Sequence, residues 1–125
     1  MQCVIQTDDF ASAAKHAGLS EADVFAIEAL VAADPTIGAL IPGTGGARKF
    51  RVPAKGRGKR SGARVVSYYA ADDVPVFLLD VYVKGDRIDL SQKERNELKL
   101  ILGSLAESYR ASVKRKVVQL SETGT

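Results

Sequence analysis

Basic and aromatic residues that alternate along three predicted strands are the side chains of this sequence best suited to chemistry. They are Lys49, Arg51, Arg64, Asp80, Tyr82 and Lys84. If the strands are neighbours in a matching register, these side chains converge on one polar face of a sheet. Lysine and arginine neutralise phosphate groups, and a tyrosine ring can stack on an unpaired base. The pattern therefore predicts a surface that binds RNA.

The same set of residues is also compatible with RNA cleavage. RNA carries its own nucleophile, the 2′-hydroxyl, so cleavage needs alignment, a proton acceptor, a proton donor and stabilisation of negative charge on phosphorus. Clustered cations supply that stabilisation directly, and positive neighbours lower the pKa of a lysine or tyrosine. From the residues alone, RNA cleavage and RNA binding without catalysis both remain open.

Other kinds of site lack the residues they need. His16 has no second ligand at metal spacing, so no metal site is expected, and a surface position on a helix is predicted for it. Gly58-Lys59 is followed by Arg60 where a phosphate-binding loop needs Ser or Thr, so no nucleotide cofactor is expected. Cys3, a lone cysteine beside an apolar run, is predicted to be a buried structural thiol.

The distribution of charge is more informative than the net charge of +3. Residues 1–34 contain one lysine and six acidic residues, residues 35–71 contain eight lysines and arginines and no acidic residue, and residues 72–125 contain nine of each. A basic block of this kind indicates a polyanionic partner. No apolar run is long enough for a membrane span, and no signal peptide is visible, so a cytoplasmic protein without a membrane partner is expected.

Hydrophobic periodicity predicts the elements that would position these residues. Strands are predicted near residues 2–6, 47–52, 63–69 and 75–84, and helices near 8–16, 21–33 and from 92 toward 117. Residues 38–46 are rich in glycine and are predicted to form a tight loop, and 53–62 a flexible basic loop. Short connections between the last three strands favour antiparallel pairing. The predicted fold class is therefore α+β, with the order βααβββα.

Three segments of the sequence resemble the RelE/HigB-like family of bacterial type II toxins, in particular its HigB-like branch. They are IPGTGGARKFR at 41–51, GRGKRSGARVV at 56–66, and LLDVYVK at 78–84 followed by DLS at 89–91. Their order and spacing match the family together, and the resemblance covers roughly residues 3–108. Two positions depart from the family pattern: Ser67 stands where a second aromatic residue is frequent, and Ser61 where glycine is common.

The resemblance implies a small antiparallel sheet backed by helices, and an enzyme that cuts mRNA on the ribosome without a metal. It places Arg64, Tyr82 and Lys84 in the active centre. It implies further that RNA is held by a basic set: Lys49, Arg51, Lys55, Arg57, Lys59 and Arg60. A cognate antitoxin, commonly of the helix-turn-helix type, would neutralise the toxin, which would meet DNA only through that antitoxin.

The chain is predicted to divide into a toxin domain at 1–108 and a C-terminal helical extension with a frayed tail at 109–125. Two further functions remain as alternatives. One is a non-catalytic protein on the same fold that binds RNA or the ribosome. The other is an interaction module whose basic face binds an acidic protein.

Overall fold

A computed structural model of the chain describes residues 2–53, 62–83 and 90–123, with side chains as far as residue 116 in the last of these segments. Its strands are β1 (Val4–Gln6), β2 (Ala39–Leu40), β3 (Arg48–Val52), β4 (Ala63–Tyr68) and β5 (Val76–Val83). Its helices are α1 (Asp8–His16), α2 (Glu21–Ala33) and α3 (Gln92–Thr123). The α+β class and the order of the predicted elements are confirmed, with β2 as an addition.

The described strands form one five-stranded sheet in the order β1-β5-β4-β3-β2. The pairs β2–β3, β3–β4 and β4–β5 are antiparallel, as the short connections predicted. β1 instead pairs in parallel with β5, so that Val4 lies opposite Val76. The parallel pair follows from the chain path, because α1 and α2 carry the chain away from β1 before the antiparallel strands begin.

β2 lies inside the glycine-rich segment that was predicted to be a loop. Gly38 has a φ of 96°, and a Cβ atom at this position would lie 2.5 Å from the carbonyl oxygen of Lys49. Glycine therefore permits the close approach that brings Ala39 and Leu40 beside β3. A strand of two residues is too short to produce a recognisable alternation of apolar and polar residues.

The starts of the helices follow the capping signals in the sequence. The Thr7 hydroxyl accepts a hydrogen bond from the backbone of Phe10 at the start of α1. Ser20 and Asp23 form a reciprocal capping box at the start of α2, as predicted, although aspartate replaces the usual glutamate. Ser91 and Glu94 form the predicted second box before α3, with hydrogen bonds of 3.0 and 3.1 Å.

The helix ends are less uniform. α2 ends at Ala33, just before the Asp34-Pro35 pair that predicted its end. α3 continues to Thr123, farther than Val117, to which the sequence pattern carried it.

Two of the single-residue predictions concern exposure. His16 is exposed on α1, as predicted. Cys3 is also exposed, so the prediction of a buried thiol is wrong. The physical reason is its position: Cys3 precedes β1, which is an edge strand of the sheet and therefore has a neighbouring strand on one side only.

The sheet has an apolar cluster on each face. On one face, α1 and α2 pack against the strands, and the buried residues include Phe10, Ile27, Val31, Phe50, Val65 and Val81. On the opposite face, α3 packs over one end of the sheet, and the buried residues include Val66, Phe77, Leu79, Tyr82 and Leu102. The rest of this second face is where the predicted polar residues lie.

A bidentate ion pair joins α3 to the turn between β4 and β5. The guanidinium of Arg110 donates hydrogen bonds of 2.6 and 2.8 Å to the two carboxylate oxygens of Asp73, and another of 2.7 Å to Glu107. The hydrogen bonds from Arg110 lower the pKa of Asp73 below its ordinary value. At the same turn, Tyr69 donates a hydrogen bond to Asp72, which raises the pKa of Tyr69 above its ordinary value.

Candidate nucleic-acid interface

A row of three polar side chains crosses the middle of the sheet. Arg51 on β3 lies directly opposite Arg64 on β4, and Arg64 lies directly opposite Tyr82 on β5. Residues paired in this way point to the same face and have Cβ atoms about 4.5–5.5 Å apart. The strands therefore bring two arginines and a tyrosine together, as the sequence predicted for a matching register.

The next row on the same face contains Lys49, Val66 and Asp80. Lys49 pairs with Val66, and Val66 pairs with Asp80. Both polar side chains are partly buried, and each lies diagonally from the residues of the first row. The five polar residues predicted to share a face and described in the structure, Lys49, Arg51, Arg64, Asp80 and Tyr82, therefore do share it.

A β-bulge in β5 positions Asp80 and Tyr82. The pairing shifts between Val66 and Ser67, because Val66 faces Asp80 whereas Ser67 faces Leu78, which leaves Leu79 as an extra residue. A bulge bends the strand and changes the direction of its side chains, and it is frequent beside active sites. Without it, β5 would alternate strictly from one end to the other.

The bulge makes one sequence prediction wrong. Strict alternation placed Phe77, Leu79, Val81 and Val83 on an apolar face and Tyr82 on the opposite, polar one. Instead, Phe77, Leu79 and Tyr82 share one cluster with α3, while Val81 belongs to the cluster under α1 and α2. The extra residue shifts the side-chain period by one position, so neither face keeps the predicted composition.

Arg64 has an environment that favours an anionic ligand. Its Nη1 atom is buried and has no hydrogen-bond partner, and in the described parts of the chain neither Arg64 nor Arg51 forms an ion pair. Like charges directly opposite each other destabilise a strand pair, and a buried donor without a partner adds a desolvation cost. A phosphate between the two guanidinium groups would remove both penalties.

Tyr82 has a different environment from the one that the sequence predicted. Only 4% of its surface is exposed, and its ring packs among the apolar residues under α3. A base can stack only on an accessible ring, so the expectation that Tyr82 presents its ring to RNA is not met. Its position beside Arg64 is retained.

Five of the predicted site residues lie outside the described residues: Lys84 of the active centre and Lys55, Arg57, Lys59 and Arg60 of the basic loop. The described residues that flank them border the polar row. Val52 pairs with Ala63 one position beyond Arg51 and Arg64, and β5 ends at Val83 directly after Tyr82. Gly62, with a φ of 71°, precedes β4, and a Cβ atom there would lie 2.4 Å from the Val52 carbonyl oxygen.

The structure also contains features of this region that the sequence did not reveal. A cleft of about 360 Å³ lies beside Asp80, between β5 and the start of α3, and its acidic lining includes Asp9, Glu94 and Glu97. The hydroxyl of Ser67 is buried without a hydrogen-bond partner. Both features depend on how α1, β5 and α3 pack together, for which the sequence carries no local signal.

The described residues hold no group of histidine, cysteine or carboxylate side chains suited to a metal ion. They also hold no helix that is both long enough and apolar enough to cross a membrane. The chemistry available on the polar face is therefore that of cations, a phenol and a carboxylate.

Comparison with protein families supports the resemblance drawn from the three segments. The family model described as the RelE toxin of the RelE/RelB toxin-antitoxin system matches residues 2–125. The chain belongs to the RelE toxin family. As a RelE-family toxin it is one component of a toxin-antitoxin system, and the family implies an antitoxin partner. The match concerns the family as a whole, and membership of the HigB-like branch stays a prediction.

Proposed function

We propose that this RelE-family toxin is an endoribonuclease that cuts mRNA on the ribosome and so inhibits translation. The observation that carries the proposal is the row of Arg51, Arg64 and Tyr82, in which two guanidinium groups face each other without an ion-pair partner among the described residues. Such a row is unfavourable in the isolated protein and becomes favourable when a phosphate lies between the arginines.

The proposed reaction uses the 2′-hydroxyl of the RNA. The 2′-oxygen attacks the adjacent phosphorus, and the bond between phosphorus and the 5′-oxygen breaks. The proton of the 2′-hydroxyl passes to a base, and an acid delivers a proton to the departing 5′-oxygen. Arg64, with Arg51 beside it, stabilises the extra negative charge on phosphorus. Because these cations supply the charge stabilisation, the reaction needs no metal.

Lys84 and Tyr82 are the candidates for acid and base. Lys84 follows β5 directly, and Tyr82 lies opposite Arg64, so each is close in the chain or in the sheet to the charge-stabilising arginine. Which of the two accepts the proton and which donates it stays open in this proposal. The Tyr82 hydroxyl is assigned the chemical role, because its buried ring is poorly placed for stacking.

The basic loop between β3 and β4 is proposed to hold the RNA backbone. Its cations are Lys55, Arg57, Lys59 and Arg60, and Lys49 on β3 supports them from the sheet. The loop leaves β3 and enters β4 beside the polar row, where Val52 pairs with Ala63. Contacts of this kind contribute affinity that falls with salt and carry little sequence information.

The remaining parts of the proposal concern the cellular context. The toxin belongs to the HigB-like branch, acts in the cytoplasm and is neutralised by a cognate helix-turn-helix antitoxin. It meets DNA only through that antitoxin. The three segments that resemble the branch support this assignment, together with the family match.

The proposal is tested in a cell-free translation extract by mapping the 5′ ends of a reporter mRNA. The wild-type toxin should create new 5′ ends inside the coding sequence, whereas Lys84→Ala should create few or none. Toxin dialysed against a chelator before the assay should cut as well as untreated toxin. Normal translation and intact mRNA at a saturating concentration of folded toxin would contradict the proposal.

A non-catalytic protein that binds RNA or the ribosome is the second candidate. The burial of Tyr82 favours it, because a buried phenol is less available for proton transfer. This candidate predicts that the toxin binds ribosomes with strong salt dependence and leaves the mRNA uncut. The same extract therefore separates the two candidates when ribosome binding is measured by sedimentation alongside mRNA mapping.

A further inference from the structure

A groove of about 660 Å³ lies between α1 and α2, near the loop that connects them. Its floor is formed by small and apolar side chains, among them Ala11, Ala14 and Leu19. Val24 and Phe25 line it from α2. The groove belongs to the helices that cover the face of the sheet opposite the Arg51–Arg64–Tyr82 row. It is therefore separate from the proposed RNA site.

Phe25 is the most unusual residue of this groove. Its side chain is 71% exposed although it is a large aromatic residue on a helix whose other apolar positions, such as Ile27 and Val31, are buried. A single exposed apolar residue on a flat surface needs no explanation. An exposed aromatic ring at the rim of an apolar groove has the form of an anchor for a partner.

The charge around the groove limits what can bind there. Glu21 and Glu28 line it together with a single lysine, Lys15. The surrounding segment 1–34 contains six acidic residues and one lysine. A polyanion such as RNA is repelled by this surface, whereas a peptide with apolar side chains flanked by lysine or arginine is attracted.

We propose that this groove is the docking site for a cationic amphipathic segment of the cognate antitoxin. The segment inserts an apolar side chain beside Phe25 and places its basic residues against Glu21 and Glu28. Membership of a toxin-antitoxin system provides the partner, and the charge of the groove gives its chemistry. A second copy of this chain fits less well, because its basic block is a loop rich in glycine rather than an apolar helix face.

The docking site has a consequence for the assembled complex. Because α1 and α2 lie on the opposite side of the sheet from the polar row, a segment held in the groove does not occupy the space of the RNA. Variants of the groove should change antitoxin affinity without changing what the free toxin does to RNA. This separation lets the inference be tested independently of the proposed ribonuclease activity.

The first test compares Phe25→Asp with Leu100→Asp. Both positions are exposed and helical, and Leu100, which is 81% exposed on α3, serves as the matched control. Binding of the purified antitoxin, produced from the gene adjacent to the toxin gene, is measured by titration calorimetry. Phe25→Asp should weaken binding by about 30-fold or more, as expected for an anchor residue, while Leu100→Asp binds as the wild type does.

The second test reverses one charge in the groove. Glu28→Lys should weaken antitoxin binding and reduce its dependence on salt, whereas Glu97→Lys, at an exposed position of α3 that lines the other acidic cleft, should not. Unchanged affinity for both Phe25→Asp and Glu28→Lys would overturn the inference. So would a loss of toxin self-association in Phe25→Asp with antitoxin binding intact, because the groove would then hold a second copy.

Failure of this inference can be distinguished from failure of the proposed function. Each variant is also assayed for mRNA cleavage in the absence of antitoxin. Wild-type cleavage with unchanged antitoxin binding overturns only the docking site. Absence of cleavage in every form, including the wild type, overturns only the proposed reaction, because the binding measurements do not depend on it.

Discussion

Replacement of Arg64 by methionine provides the sharpest test of the polar row. Arg64 faces Arg51 on one side and Tyr82 on the other, and its Nη1 atom is buried without a partner. Methionine keeps most of the aliphatic stem, so packing around the strand is largely preserved. The substitution therefore removes the charge and the unsatisfied donors with little change in volume.

The structure predicts opposite effects on stability and activity. Facing like charges cost about 0.2–1 kcal/mol in a strand pair, and an unsatisfied buried donor costs about 1–3 kcal/mol. Loss of both should leave the free energy of unfolding unchanged or raise it by about 1 kcal/mol. Loss of a charge stabiliser in the transition state should lower the cleavage rate by about 10²–10³.

Arg48→Met is the matched control. Arg48 is on β3 as well, but its guanidinium donates a 3.1 Å hydrogen bond to the carbonyl oxygen of Gly38, away from the polar row. Its loss should reduce stability by about 0.5–1.5 kcal/mol and leave cleavage near normal. Urea unfolding and mRNA cleavage in a translation extract are measured for both variants. Normal cleavage by folded Arg64→Met, or a stability loss greater than that of Arg48→Met, would refute the reasoning.

Four further predictions concern other parts of the chain. Replacing the basic loop residues by glutamine should lower the salt slope of ribosome binding by about 1 for each phosphate group that the loop no longer neutralises, as a salt titration would show; the residues are Lys55, Lys59 and Arg60. Tyr82→Phe, which keeps the buried ring, should lower cleavage by about 10²–10⁴ at an unchanged Tm if the hydroxyl transfers a proton as proposed, and a rate near that of the wild type would remove that role. Ser67→Ala should raise the free energy of unfolding by about 1 kcal/mol because it removes a buried hydroxyl without a partner, and a lower value by urea unfolding would contradict this. Because Arg110 lowers the pKa of Asp73, the pair stabilises the fold above the unfolded-state pKa and loses its effect as the pH falls through the lower folded-state pKa; the difference in Tm between wild type and Asp73→Asn should therefore narrow in acid, and a difference that widened there would reverse the sign.

The sequence was sufficient for those parts of the fold that depend on local chemistry. The capping boxes at Ser20 and Ser91 and the proline after Asp34 set helix boundaries through hydrogen bonds or sterics within a few residues. The convergence of the polar residues was also predictable, since alternation along short antiparallel strands fixes the face of each side chain once the register agrees.

What the sequence could not predict depends on contacts between distant segments. The bulge at Leu79 interrupts the apolar run of β5 without a glycine or proline to mark it, so strict alternation was the natural expectation. The burial of Tyr82 and the unsatisfied hydroxyl of Ser67 follow from the packing of α3 and β5 across the sheet. The exposure of Cys3 follows from the edge position of β1, which requires knowledge of the strand order.

The arginines of the described structure indicate why the polar row is a site rather than part of the scaffold. Arg48 donates to a carbonyl oxygen, and Arg110 is held by two carboxylates at distances of 2.6–2.8 Å. These arginines serve the fold, and the fold provides their partners. Arg64 is in the middle of the sheet, where a partner would be simplest to provide, yet it faces another arginine. A fold selected only for stability would replace one of the two by an apolar or acidic residue, so the pair is best explained by an anionic ligand that completes it.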